Sequence, residues 1–261
     1  MQEVALITGA SSGIGKELAR KHASHGGDLV IVARREEALL SLKSELEAKH
    51  GVSVLCRTVD LTQPNAAHQL HDWVSESEII VKYLINNAGF GGHGYFHERD
   101  WQKDRDMIQL NVVALTELTR LFLPGMVKRK SGRVLNTAST AAFLPGPLQS
   151  VYYATKAYVV SWSQALDEEM RSLGVDVTVT ALCPGAVATE FVEAADLHGN
   201  ELWNNAATPE SVAKVGYDAM MRGKLIAIND WKLRFALNWI IPFLPRRMVL
   251  QMSRKSMETN A

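Results

Sequence analysis

The feature that most constrains this chain is an alternation of two hydrophobic periods. Short apolar runs at residues 4–8, 29–33 and 52–58 read as strands, and between them apolar residues recur at helical spacing, Ile14-Leu18-Ala19-Ala23 and then Ala38-Leu39-Leu42-Leu46. The pattern continues with strands at 79–85, 132–138, 175–182 and 225–229 and long helices at 107–127 and 152–173. Strands separated by helices of crossover length pair in parallel, because a parallel connection must travel back along the sheet. The expected fold is α/β: one doubly wound domain over residues 1–261, a mostly parallel sheet with helices on both faces. No internal repeat, low-complexity tract or long Pro/Gly/Ser linker divides it.

The first strand runs into Thr8-Gly9-Ala10-Ser11-Ser12-Gly13-Ile14-Gly15, where the first helix begins. Glycines in that context read as a dinucleotide-binding turn of the Rossmann type, the alternative being an ordinary glycine-rich turn. Gly9 permits the tight turn, Gly13 lets backbone approach a pyrophosphate, and Gly15 allows close packing of the helix. The helix start adds unpaired N–H groups, so Ser11, Ser12 and Ile14 join the cofactor set. The second strand ends in Ala33-Arg34-Arg35, with no acidic residue for a ribose 2′-hydroxyl. A guanidinium suits a 2′-phosphate, which favours NADP(H) over NAD(H). Arg34 is the stronger candidate; Arg35 could instead be a solvated residue at a helix start. Asp60 could meet the adenine end of the cofactor or cap a turn before Thr62.

Together with motifs further along, the chain resembles the short-chain dehydrogenase/reductases of the NADP-preferring kind over nearly its whole length. The motifs are the 8–15 turn, Asn86-Asn87-Ala88-Gly89 after the fourth strand, Asn111, Ser139 after the fifth strand, Tyr152-x-x-x-Lys156, and Pro184-Gly185 with Thr189. Tyr152 and Lys156 are four apart and share a helix face. A nearby ammonium and an oxidised nicotinamide both favour phenolate, so Tyr152 can act as acid in reduction and base in oxidation. The resemblance implies that Ser139 polarises the substrate carbonyl, with Thr140 next in register, and that Asn111 holds a water linking Lys156 to solvent. It further implies that Asn87, Gly89, Pro184, Gly185 and Thr189 line the cofactor, and that the protein is a homodimer or homotetramer. Two departures are Ala138, where a serine often precedes the catalytic one, and the absence of a basic residue at Ser11 or Ser12.

Other features bound the function. With 28 Lys plus Arg against 28 Asp plus Glu there is no basic field to gather nucleic acid. Cys56 and Cys183 have no paired spacing, which suits buried thiols in a reducing compartment. The N-terminus lacks a basic n-region followed by an apolar stretch, and a cytoplasmic protein without signal peptide is expected. His93 and His97 are four apart but lie among Gly91, Gly92 and Gly94, so no metal site is expected and this loop borders the substrate cavity. Residues 190–208 interrupt the alternation after a strand end and read as a substrate lid. Phe90, Phe143, Leu144, Phe191 and Trp203 are candidate pocket walls.

Residues 231–261 form an amphipathic extension too short in its apolar run to span a bilayer. It can roof the pocket, pack on a partner subunit or lie on an anionic membrane, with packing on the protein first. The reading is an NADP(H)-dependent oxidoreductase acting on a small-molecule carbonyl or alcohol, a hydrophobic ketone or aldehyde fitting best. The alternative is a non-catalytic NADP(H)-binding sensor or scaffold.

Overall fold

A computed structural model describes residues 3–195, 203 and 206–258 of the chain. Seven strands form one parallel sheet: β1 (Glu3–Thr8), β2 (Asp28–Ala33), β3 (Val54–Thr58), β4 (Ile80–Asn86), β5 (Ser131–Thr137), β6 (Asp176–Leu182) and β7 (Ile226–Ala227). Their order is β3-β2-β1-β4-β5-β6-β7, with β1 pairing in parallel with both β2 and β4. The connections run outward from β1 in one direction and from β4 in the other, so a crevice opens between their carboxyl ends, where doubly wound sheets bind ligands.

Alternate residues of each strand serve opposite faces. On one face Ala5 and Ile7 of β1 pack with α1 (Gly13–Ala23), α2 (Glu36–His50) and α8 (Pro209–Met221) through Leu18, Leu39 and Val212. On the other, Val4 and Leu6 join α3 (Ala66–Glu76), α5 (Leu115–Arg129) and α6 (Ser150–Ser172) through Leu70, Leu118 and Leu166. Strands buried on both faces explain why the runs are nearly continuous in Val, Ile and Leu.

The expected helix at 107–127 begins earlier. A first helix, α4 (Trp101–Ile108), passes through a π-helical segment, Gln109–Ala114, into α5. Asp100 caps α4 by accepting from the Gln102 N–H at 2.9 Å. By length and composition the stretch Trp101–Arg129 is apolar enough to cross a membrane, but its Leu115, Leu118, Phe122 and Met126 are buried within the fold. The expected strand at 225–229 shortens to two paired residues, because only Ile226 and Ala227 find partners, on Ala181 and Leu182.

After β6, α7 (Phe191–Ala194) starts the expected lid; most of residues 196–205 lie outside the described residues. The C-terminal stretch forms α9 (Trp231–Trp239), a 3₁₀ turn at Ile241–Phe243 and α10 (Arg246–Met257).

Candidate active site

The crevice is one continuous cavity of about 660 Å³. At one end it is walled by Arg34, Arg35 and Asp60, in the middle by Gly9, Ser11, Ser12, Gly13, Ile14, Asn87 and Gly89, and at the other by Ser139, Tyr152, Lys156, Pro184, Gly185 and Thr189. Gly15 and Asn111 stand behind this wall. Gly9 and Gly13 hold φ of +68° and +54°, a region that L side chains rarely adopt. A Cβ on Gly15 would run into the Gly9 carbonyl and the Asn87 amide, and one on Gly9 would sit 2.9 Å from the Ala88 Cα. The turn is therefore a cradle that only glycine keeps open, and the first turn of α1 presents backbone N–H groups beside it. This arrangement fits a dinucleotide.

The glycine turn and the β4 end are tied together. The Thr8 hydroxyl accepts from the Asn87 N–H at 3.0 Å and the Ala88 N–H at 3.1 Å, while the Asn87 amide donates to the Thr8 and Gly9 carbonyls. Behind them Asn86 donates to Thr119 and Asn136, and Asn136 donates to Ser163. This buried chain pins β4 and β5 to α5 and α6, and with them the residues that follow each strand.

Tyr152 and Lys156, one turn apart on α6, are both buried. The Lys156 Nζ donates to the Thr137 carbonyl at 2.8 Å and lies 5.8 Å from the centre of the Tyr152 ring. Burial pushes the Lys156 ammonium down to about 8. Burial also drives the Tyr152 phenol well above its ordinary value, opposed by a hydrogen bond with the Ser139 hydroxyl. The expected lowering of Tyr152 by its lysine neighbour does not appear in the protein alone: burial governs the phenol, the charge of Tyr153 adds to it, and only the Ser139 hydroxyl works the other way. Ser139 also accepts from the Ala141 N–H at 3.1 Å, whereas the Thr140 hydroxyl donates to the Pro184 carbonyl at 3.1 Å. Ser139, not Thr140, pairs with Tyr152.

Asn111 sits in the π-helical segment. Its amide donates to the Phe90 carbonyl at 2.9 Å and to the Thr155 hydroxyl, and its oxygen accepts from the Phe90 N–H at 3.2 Å. It bridges the loop after β4 to α6 beside Lys156; a Cβ on Gly89 would stand 2.9 Å from the Asn111 oxygen and 3.4 Å from the Lys156 nitrogen. Thr189 accepts from the Phe191 N–H, and Gly185 N–H donates to the Asn229 side chain.

Asp60 accepts from the Thr62 N–H at 3.0 Å and hydroxyl at 2.8 Å. Burial works against its carboxylate, but the Thr62 hydrogen bonds and the charge of Arg34 prevail and hold it below the usual range. It both caps a turn and lines the cleft. Arg34 hydrogen-bonds no described residue. Arg35 reaches over the glycine turn, donating to Ser11, and forms an ion pair at 2.9 Å with Glu190, which also accepts from Ser12 at 3.0 Å. This strap across the cleft mouth carried no signal in the sequence beyond the presence of charge.

Phe90, Leu144, Phe191 and Trp203 line the far end of the cavity, joined by Leu233, Leu237 and Met257 from the C-terminal helices. Phe143 does not; it packs with Ala138, Val159 and Ala181. The extension roofs the pocket, and His93 secures it by a contact of 2.8 Å with the Met257 carbonyl. His97 is exposed beside Glu98.

A family model described as short chain dehydrogenase matches residues 3–198. The chain belongs to the short-chain dehydrogenases. This dehydrogenase is 31% identical over 255 residues to a protein of Macaca fascicularis named very-long-chain 3-oxoacyl-CoA reductase, covering 96% of this chain and 78% of that one. It spans about half the length of several other curated relatives of that name. Among solved structures, a short-chain dehydrogenase from Sphingobium yanoikuyae in complex with NADPH superposes with a TM-score of 0.81 at 30% identity, covering 94% of this chain and 97% of the other. A family member from Burkholderia phymatum in complex with NAD gives a TM-score of 0.82 at 26% identity over 100% and 98% of the two chains. The relatives of that family are thus named as dehydrogenases and reductases, and their solved structures hold NADPH in one case and NAD in another.

Proposed function

We propose that the protein is an NADP(H)-dependent reductase of a hydrophobic ketone or aldehyde, or the reverse alcohol dehydrogenase. The observation that carries this reading is the meeting of Ser139, Tyr152 and Lys156 inside a cavity that begins at Arg34 and ends in an apolar wall. The cofactor, when bound, supplies or accepts the hydride. Ser139 and Tyr152 place two hydroxyls where a substrate oxygen is held, and the raised Tyr152 keeps its proton until alkoxide charge develops. That proton passes to the oxygen and completes the alcohol. Lys156 holds positive charge beside the phenolate left behind.

Preference for NADP(H) is supported by two arginines and no acid at the end of β2. The roof of Leu233, Leu237 and Met257 supports an apolar substrate, and the name of the Macaca relative makes a long-chain 3-oxoacyl thioester a candidate. Glu190, Phe191 and Trp203 on the cavity wall support a cover formed by residues 190–208. Free Cys56 and Cys183, the latter pushed up to about 12 by burial, accord with a cytoplasmic protein. Ala154, Ser161 and Ala165 leave an exposed row of small side chains on α6, suited to a homo-oligomer.

The test is NADPH consumption across aliphatic, aromatic and long-chain carbonyls, with Tyr152→Phe beside the wild type. Loss of a proton donor costs about 10² to 10⁴ in kcat, so turnover should fall by that factor while NADPH binding persists. Tight NADPH binding with no carbonyl turned over would favour the sensor instead.

A further inference from the structure

Helix α9 is apolar on two opposite faces. At about 100° per residue, Leu233 and Leu237 share the face that lines the cavity, and Trp231, Phe235 and Trp239 share the face directly opposite. That outer face is open: Trp231 is 74% exposed, Phe235 56% and Trp239 67%, and Phe243 beyond the helix is 80% exposed. A surface helix ordinarily turns a polar face outward, and a contiguous aromatic patch of this kind marks an interaction site.

The segment that carries the patch has charge of one sign. Residues 231–257 contain Lys232, Arg234, Arg246, Arg247, Arg254 and Lys255 and no acidic residue, in a chain that is neutral as a whole. The flanking acids are engaged: Asp230 caps α9 by accepting from the Lys232 and Leu233 N–H groups, and Glu258 pairs with Arg254 at 3.3 Å. Arg246 and Arg247 occupy the first turn of α10, where the helix dipole disfavours cations, so they do not serve the helix itself.

We propose that this face docks on an anionic phospholipid surface and that the substrate enters the cavity from it. Aromatic side chains settle at the headgroup level with cations among the phosphates. A second copy is a poorer occupant, because a two-fold contact would set each cluster of cations against its own image. The entry route rests on the reading that the substrate is a hydrophobic carbonyl. Leu233 and Leu237 on the inner face of α9 line the cavity while Trp231, Phe235 and Trp239 on its outer face meet the lipid, so docking sets the cavity one helix diameter from the bilayer that dissolves such a substrate.

The test sediments the full chain with phosphatidylcholine vesicles, with and without phosphatidylglycerol, comparing wild type with Trp231→Ser/Phe235→Ser/Trp239→Ser and with Arg246→Gln/Arg247→Gln. None of these side chains lines the cavity. Wild type should pellet with the anionic vesicles, with partitioning about tenfold or more weaker for either variant and at high salt. NADPH turnover of a water-soluble ketone should be unchanged in the variants, and turnover of a vesicle-dissolved ketone should fall. Equal sedimentation of wild type and variants overturns docking, as does a drop in the wild type's molecular mass on the aromatic substitutions, which would assign the patch to a second copy. Vesicle binding without turnover of any ketone would leave docking standing and overturn the substrate reading and its entry route.

Discussion

Two adjacent arginines at the end of β2 face different tasks. Arg34 hydrogen-bonds no described residue and acts on Asp60 only through its charge, whereas Arg35 is drawn to Ser11 and Glu190. A charged hydrogen bond contributes about 1.5–3 kcal/mol, so Arg34→Ala should weaken NADPH binding by about tenfold or more and leave NADH unchanged. Arg35→Ala should do less, because its guanidinium already has a partner to lose. Fluorescence titration of both cofactors on both variants checks this, and equal NADPH and NADH affinities in the wild type would remove Arg34 from the site. At this scale the sequence reveals contacts that are local in it: Tyr152 and Lys156 meet because they are one helical turn apart. It is silent on Glu190, which reaches Arg35 across 155 positions.

Among elements, the packing of α1 on α8 turns on one buried histidine. The His22 Nδ1 contacts the Tyr217 hydroxyl at 3.1 Å, and its ring fills the space a side chain at Gly27 would need. Burial, helped by the charge of His25, pushes His22 down to about 4. Between that value and the ordinary histidine range the unfolded chain binds a proton that the folded chain refuses, so stability rises with pH. This contribution is fully present above pH of about 6.5 and lost as pH falls toward 4, a loss of about 3 kcal/mol from a displacement of that size. Urea titrations at pH 7 and 5 should show His22→Gln losing less stability than wild type over that step; equal losses would place the acid sensitivity elsewhere. The central strands β1 and β2 were legible because they are buried on both faces, whereas β3 at the sheet edge leaves Leu55 exposed. α3 and α8 were not legible, since their buried sides rest on alanines and a glycine as much as on large residues. The π-helical segment that presents Asn111 leaves no compositional mark, because helix period is blurred over only six residues.

Across the molecule, the doubly wound parallel sheet and the place of the cleft at its strand ends followed from the sequence, because strands joined by crossover helices have few ways to pack, whereas the strand order came only with the structure. Assembly did not. The row Ala154, Ser161 and Ala165 on α6, beside the stacked rings of Tyr158 and Trp162 at 6.2 Å, stays open on the single chain. Ser161→Arg with Ala165→Arg should convert an oligomer to a monomer by light scattering; a wild type already monomeric would reject this face.

The strap between Arg35 and Glu190 joins the β2 side of the crevice to the β6 side, with both side chains about half exposed. An exposed pair of this kind contributes about 0–1 kcal/mol, so thermal motion and salt open it readily. It nevertheless places a resident anion at the door. Any phosphate arriving at Arg35 competes with that carboxylate, and its measured affinity is the difference between two ionic contacts. Ionic strength then acts twice and in opposite senses, weakening the attraction of the incoming anion while dismissing its rival.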